Sequence, residues 1–207
     1  MATYRERVQV AVQHLRKCDP VMREIIDRVG PCTLKLKRDR FALLAWSILS
    51  QQISTAAART IRGRVEGLVA PDRITPDSLL GLRVEELRGV GVSVRKAEYL
   101  HDLAQKASDG TIRLHRVGRL SNEEIIGELT QVRGIGRWTV EMLLMFSLGR
   151  LDVFPVDDLS LRNAIAASYP VSQPPGREEL LQLAARWSPY QTVASWYCWR
   201  ILEDEEW

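Results

Sequence analysis

Cysteine, lysine and long apolar runs are all scarce in this 207-residue chain, and each scarcity excludes something. Cys18, Cys32 and Cys198 are far apart and form no zinc-ligand pattern, which argues against a disulfide scaffold or a structural zinc site. No window approaches the roughly 18 uninterrupted apolar residues of a membrane-spanning helix, and no signal-like segment opens the chain. A reduced, intracellular protein without membrane contact is therefore expected. Nor is there a credible strand-rich stretch, so the expected fold is all-α.

What is present is 45% hydrophobic residues, enough for one sizeable core or two small lobes. The net charge is only +3, so clustering matters more than the total. Twenty-four of the 29 basic residues are Arg, whose planar guanidinium suits bidentate contacts to phosphate.

Read in order, residues 4–16 form a helix, and Asp19-Pro20 caps and opens another that runs to Val29 before Gly30-Pro31 stops it. The basic cluster KLKRDR (Lys35 to Arg40) precedes an apolar helix from Phe41 to Leu49. Two adjacent amides, Gln51 and Gln52, then stand at the joint with a helix over Thr55 to Val69. Pro76 starts a helix expected to run through SLLGL to Glu86. The next helix follows Gly89-Val90-Gly91, with Ala97, Leu100, Leu103 and Ala104 facing inward and Arg95 and Lys96 on its solvated face. Asp109-Gly110 ends it, residues 111–120 connect, and Ser121 with Glu124 forms a capping box.

The stretch from Leu129 to Asp158 carries the most information. An apolar helical run (Ile125, Ile126, Leu129) is broken by Gly134-Ile135-Gly136, and a second run (Val140, Leu143, Leu144, Leu148) begins at once. Helix, tight hairpin, helix is the reading. Two glycines permit positive φ and leave backbone N–H groups uncovered beside a helix N-terminus, where a phosphate can bind. By itself this pattern also fits an ordinary αα-hairpin turn. Asp158 precedes another helical run, LSLRNAIAASY, and fits an N-cap as well as a reactive carboxylate.

GIGRWT followed by DVFPVDDLSLR resembles the helix-hairpin-helix DNA glycosylase superfamily, and within it the 3-methyladenine DNA glycosylase II family. LLAWSILSQQIS, VGVSVRKAEYL and SPYQTVASWYCWR extend the resemblance over most of the chain. It implies a single unit of two helical lobes with a DNA-binding cleft between them. One lobe takes residues of about 1–32 plus 146–207, the other about 33–145 with the hairpin at 122–148. The N-terminal β domain that many relatives carry has no room here.

The resemblance also assigns roles. Asp158 would stabilise positive charge building on the deoxyribose as the N-glycosidic bond breaks, with Asp157 the alternative if the match slips by one residue. Gln52 would be the wedge that fills the space left by an extruded nucleotide, with Gln51 in reserve. Gly134, Ile135, Gly136, Arg137 and Thr139 would grip the DNA backbone. Trp138, Met142 and Trp196 would line the base pocket, where an indole face attracts a cationic alkylated purine. Relatives that nick the strand use a lysine where this chain has Trp138, and its five lysines (Lys17, Lys35, Lys37, Lys96, Lys106) all lie elsewhere. A four-cysteine iron–sulfur loop cannot be made either. The implied protein is a monomeric, monofunctional glycosylase of double-stranded DNA containing damaged bases. It requires no cofactor and no catalytic metal, although the hairpin carbonyls leave a place for a monovalent cation. It would work in the nucleoid of a bacterium or the nucleus of a eukaryote.

Overall fold

The computed structural model describes residues 2–203, and among these it contains twelve α-helices and no strand. The chain divides into two compact units, one built from residues up to Leu36 together with those from Leu144 onward, the other spanning Lys37–Leu143.

The first unit holds α1 (Tyr4–Cys18), α2 (Pro20–Val29), α10 (Leu159–Ser168), α11 (Arg177–Ala185) and α12 (Gln191–Glu203). Its core gathers Leu15, Met22, Leu161, Ile165, Leu180, Trp187 and Tyr197. α12 packs on α1, α2 and α10, which explains why it is apolar on nearly every side. Asp19 caps α2 as expected, its Oδ1 accepting the Met22 N–H at 2.9 Å. It also does more than a cap. At 4% exposure it accepts from the Tyr169 hydroxyl (3.0 Å) and the Trp187 indole (2.8 Å), so three donors compensate one buried carboxylate and tie α2 to two distant aromatics.

The second unit contains α3 (Arg40–Ser50), α4 (Thr55–Val69), α5 (Pro76–Leu80), α6 (Val84–Gly89), α7 (Val94–Ser108), α8 (Asn122–Leu129) and most of α9 (Arg137–Phe146). α7 is its axis, touching α3, α5 and α6 and burying Ala97, Leu100, Leu103 and Ala104 as the periodicity predicts. The expected single helix through Glu86 is instead two. Gly81 ends α5, and the Glu86 carboxylate caps a fresh start by accepting the Arg83 N–H at 2.8 Å. Such a local carboxylate-to-backbone bond competes with helix continuation. Ser121 and Glu124 form the capping box that opens α8.

Candidate functional site

The hairpin turn between α8 and α9 is held from three sides within the second unit. Gly134 has φ +82°, and a Cβ there would lie 2.1 Å from Cδ2 of Tyr99, so both the backbone conformation and the close ring demand glycine. Asp102 of α7 accepts the Arg133 N–H at 2.8 Å, and Lys106 donates to the Gln131 carbonyl at 2.7 Å while pairing with Asp102. The Gln51 side-chain amide donates to the Gly134 carbonyl at 2.7 Å. Lys96 is neither solvated nor turned to phosphate as sequence reasoning expects: its Nζ donates to the carbonyls of Leu49 and Gln51, 2.7 Å each, and burial lowers its pKa. The α3–α4 joint and the hairpin are thus one bonded assembly on the face of α7.

That assembly separates the two candidate wedge residues. Gln51 is half-buried and occupied with Gly134, whereas Gln52 is exposed and is the only non-glycine residue with positive φ (57°) among the described residues. A left-handed glutamine is strained, and such strain clusters at functional positions. Neighbouring Ile53 is also exposed.

Among the hairpin candidates, Gly136 is exposed, has nothing near its absent Cβ, and caps α9 by accepting the Val140 N–H at 3.2 Å. The first turn of α9 thus starts from an uncovered glycine, as anion binding at a helix N-terminus would require. Three expectations need correction. Ile135 is buried and spends its N–H on the Val132 carbonyl, so it anchors the turn from beneath. The Thr139 side chain is buried, so its contribution to the first turn of α9 is its backbone N–H and not its hydroxyl. Arg137 is bound to the Glu123 carboxylate by both terminal nitrogens and reaches Glu141 at 3.3 Å; Glu123 pushes its pKa up further. The pair with Glu123 is exposed, so a phosphate reaching this guanidinium would exchange with that carboxylate, whereas the backbone amides of the turn need no such exchange. The turn carbonyls are also partly engaged, Gln131 with Lys106, Val132 with Ile135 and Gly134 with Gln51. A cation beneath the turn would share them.

On α9, Trp138 is 41% exposed and Met142, one turn later, is half-buried, while Thr139 and Val140 face inward. The i, i+4 spacing places Trp138 and Met142 on one side of the helix.

Asp158 belongs to the first unit, where it caps α10 with φ −72° and ψ 118°. Its Oδ1 accepts the Leu161 N–H at 2.7 Å and the Trp199 indole N–H at 2.9 Å. The loop that delivers it is itself fastened to α12. Thr192 donates its hydroxyl to the Arg150 carbonyl (2.8 Å), accepts the Val153 N–H (3.2 Å) and gives its own N–H to Leu151 (2.9 Å). A carboxylate fixed at a helix N-terminus by a backbone and an indole donor is preorganised to stabilise nearby positive charge. Asp157, by contrast, is exposed and ion-paired with Arg177.

The aromatic assignments on α12 change. Trp196 is 6% exposed, sits in the core of the first unit and meets Tyr197 edge-on, so as placed it is a packing residue and not a pocket wall. Trp199, one helical turn later, is the indole that reaches Asp158, with Phe146 at 5.9 Å between ring centroids. The resemblance names Trp196 and not Trp199, and a helix with no polar face gives no local signal to separate the two indoles. Sequence reasoning also misses Asp102 and Lys106 as supports and leaves Lys96 on a solvated face; the i, i+4 pairing of Asp102 with Lys106 on α7 is the available signal.

With this geometry established, comparison with known proteins is informative. Residues 45–189 match the model for the HhH-GPD superfamily base excision DNA repair protein. The chain is 36% identical over 192 residues to DNA-3-methyladenine glycosylase 1 of Schizosaccharomyces pombe, covering 90% of this chain and 84% of that one. A solved structure of the S. pombe 3-methyladenine DNA glycosylase in complex with abasic DNA aligns with a TM-score of 0.84 at 35% identity, covering 93% of this chain and 96% of the other. A DNA-3-methyladenine glycosidase from Bacillus halodurans gives 0.82 at 35% identity, covering 95% and 92%. Both the matched segment, which contains the hairpin and Asp158, and the near full-length likeness to these relatives place the chain in the HhH-GPD superfamily of base excision DNA repair proteins.

Proposed function

We propose that this protein is a monofunctional DNA glycosylase that releases alkylated purines of the 3-methyladenine and 7-methylguanine type from double-stranded DNA, leaving an abasic site. The observation that carries the reading is Asp158, held at the N-terminus of α10 by Leu161 and Trp199. Breaking the N-glycosidic bond of a flipped nucleotide builds positive charge on the sugar, and a fixed carboxylate lowers that barrier while orienting water. A cationic base already leaves readily, so a single carboxylate suffices without an acid to protonate it. Gln52 in its left-handed conformation serves as the wedge, the first-turn amides of α9 hold a phosphate, and exposed Trp138 supplies the stacking face.

A strand-nicking route needs an amine nucleophile. Trp138 cannot form a Schiff base, and Lys96 and Lys106 are committed to backbone carbonyls. The chemistry as read uses no cofactor, and a monomer acting on chromosomal DNA, in nucleoid or nucleus, completes the proposal. The test is base release from duplexes carrying single alkylated, deaminated or oxidised bases. Release confined to oxidised bases, or none from any duplex the protein binds, would overturn it.

A further inference from the structure

Between α7 and α8 the sequence reads Arg113-Leu114-His115-Arg116-Val117-Gly118-Arg119-Leu120, a strict three-residue repeat with arginine first and an aliphatic residue second. A period of three is the period of a 3-10 helix, in which side chains at i and i+3 stack directly above one another. The structure follows that period with a turn over residues 114–116 and a single 3-10 turn, Val117–Arg119. Arg116 N–H donates to the Arg113 carbonyl at 2.8 Å, Arg119 N–H to Arg116 at 3.0 Å and Leu120 N–H to Val117 at 3.1 Å. Leu114, Val117 and Leu120 form the inner edge, with Val117 fully buried, and Arg113, Arg116 and Arg119 form an exposed outer row.

Three guanidinium-bearing residues in register, about 6 Å apart at roughly 2 Å rise per residue, repel one another. Among the described residues no carboxylate forms an ion pair with any of the three. The side chains of Arg116 and Arg119 make no hydrogen bond or ion pair there, and Arg113 reaches only the Gly110 carbonyl, at 3.4 Å. The nearby carboxylates bind neutral donors, Glu128 the Arg113 N–H and Glu124 Ser121, and neither pairs with a guanidinium of the row. More positive charge is then added. Arg40 donates to the Leu114 carbonyl and passes close to Gly118, which sets a fourth guanidinium against the segment.

We propose that this arginine row is a second phosphate-binding surface, taking the backbone of duplex DNA that flanks the damaged site. The row runs directly into α8 through the Ser121 cap, so about 12 Å of helix separates its end from the hairpin turn. Laid along a duplex, that interval would span roughly three to four base pairs. A regular row of charges fits a polyanion with regular spacing better than it fits an isolated ion. The choice of DNA as the ligand rests on the glycosylase reading; the existence of the surface does not.

The test is binding of the full chain to an undamaged duplex over a range of salt, which needs no catalysis and so separates this proposal from the assignment of activity. Replacing Arg116→Gln and Arg119→Gln together should reduce the slope of log affinity against log salt by about 1.8, at roughly 0.9 for each phosphate no longer neutralised. Between about 50 and 200 mM salt the parent should then lose roughly twelvefold more affinity than the variant. Arg116→Lys with Arg119→Lys should keep the parental slope. Shortening the duplex on one side only should erase the difference between parent and Gln variant, whereas shortening the other side should not. An unchanged slope in the Gln variant with native helicity overturns the proposal, as does a change seen on single-stranded RNA but not on duplex DNA.

Discussion

Replacing Asp158 by Asn isolates the charge of the candidate catalytic group from its structural duties. Asparagine keeps an oxygen to accept the Leu161 and Trp199 donors, now at 2.7 and 2.9 Å, and is as good an N-cap as aspartate. Helix α10 and the loop pinned by Thr192 should therefore persist. What disappears is one unit of negative charge opposite a developing cation. At about 4 Å and an effective dielectric near 20, that interaction is on the order of 4 kcal/mol in the transition state, or about a thousandfold in rate. Because Asp158 is only half-buried, solvent screening reduces the expected loss to about 10²- to 10³-fold. Single-turnover base release at saturating enzyme measures it, with affinity for abasic duplex and thermal melting as controls. Affinity and melting should stay near parental. If the variant releases base within tenfold of the parent, the carboxylate is not the catalytic group; loss of activity in Asp157→Asn at the same time would move the role next door.

The two tryptophans of α12 should separate cleanly. Trp199→Phe keeps a ring but removes the N–H that holds Asp158, a hydrogen bond to a charged group worth about 1.5–3 kcal/mol, so the single-turnover rate should fall at least tenfold while stability falls by no more than that amount. Trp196→Leu should instead lower stability by about 2–4 kcal/mol in denaturant titration; a stable variant with altered base preference would return Trp196 to the pocket. Gly134→Ala should cost at least about 2 kcal/mol and most DNA affinity, and adding Tyr99→Ala should recover only part, since φ stays positive. Borohydride should trap no covalent complex on damaged DNA, and a trapped band would require an amine nucleophile in place of the Asp158 chemistry.

Some of this is legible from residues alone and some is not, for definable reasons. Asp158 as an N-cap, the Ser121 capping box and the inward face of α7 follow from neighbours within one helical turn, and the structure has all three. Lys96 and Gln51 are obscure because their partners lie 45 to 83 residues away in sequence, and nothing local distinguishes a lysine bound to carbonyls from one in water. Trp196 and Trp199 are easily exchanged because a helix buried on nearly every side has no polar face to set its rotation. Gln52 is chosen over Gln51 by resemblance; its left-handed backbone is a physical difference that the letters QQ do not carry.

The division of the chain also has a consequence for the order in which the protein comes into being. Lys37–Leu143 is continuous, so every residue of that unit, hairpin and wedge joint included, has left the ribosome before α11 is made. The first unit must wait for α12, which brings Trp199 to Asp158 and Thr192 to the loop before it. At about 5–20 residues per second, several seconds pass between Leu143 and Trp199. A nascent or prematurely ended chain can thus own its grip on DNA before it owns its chemistry, and a fragment stopping short of Gln191 should occupy lesions without clearing them.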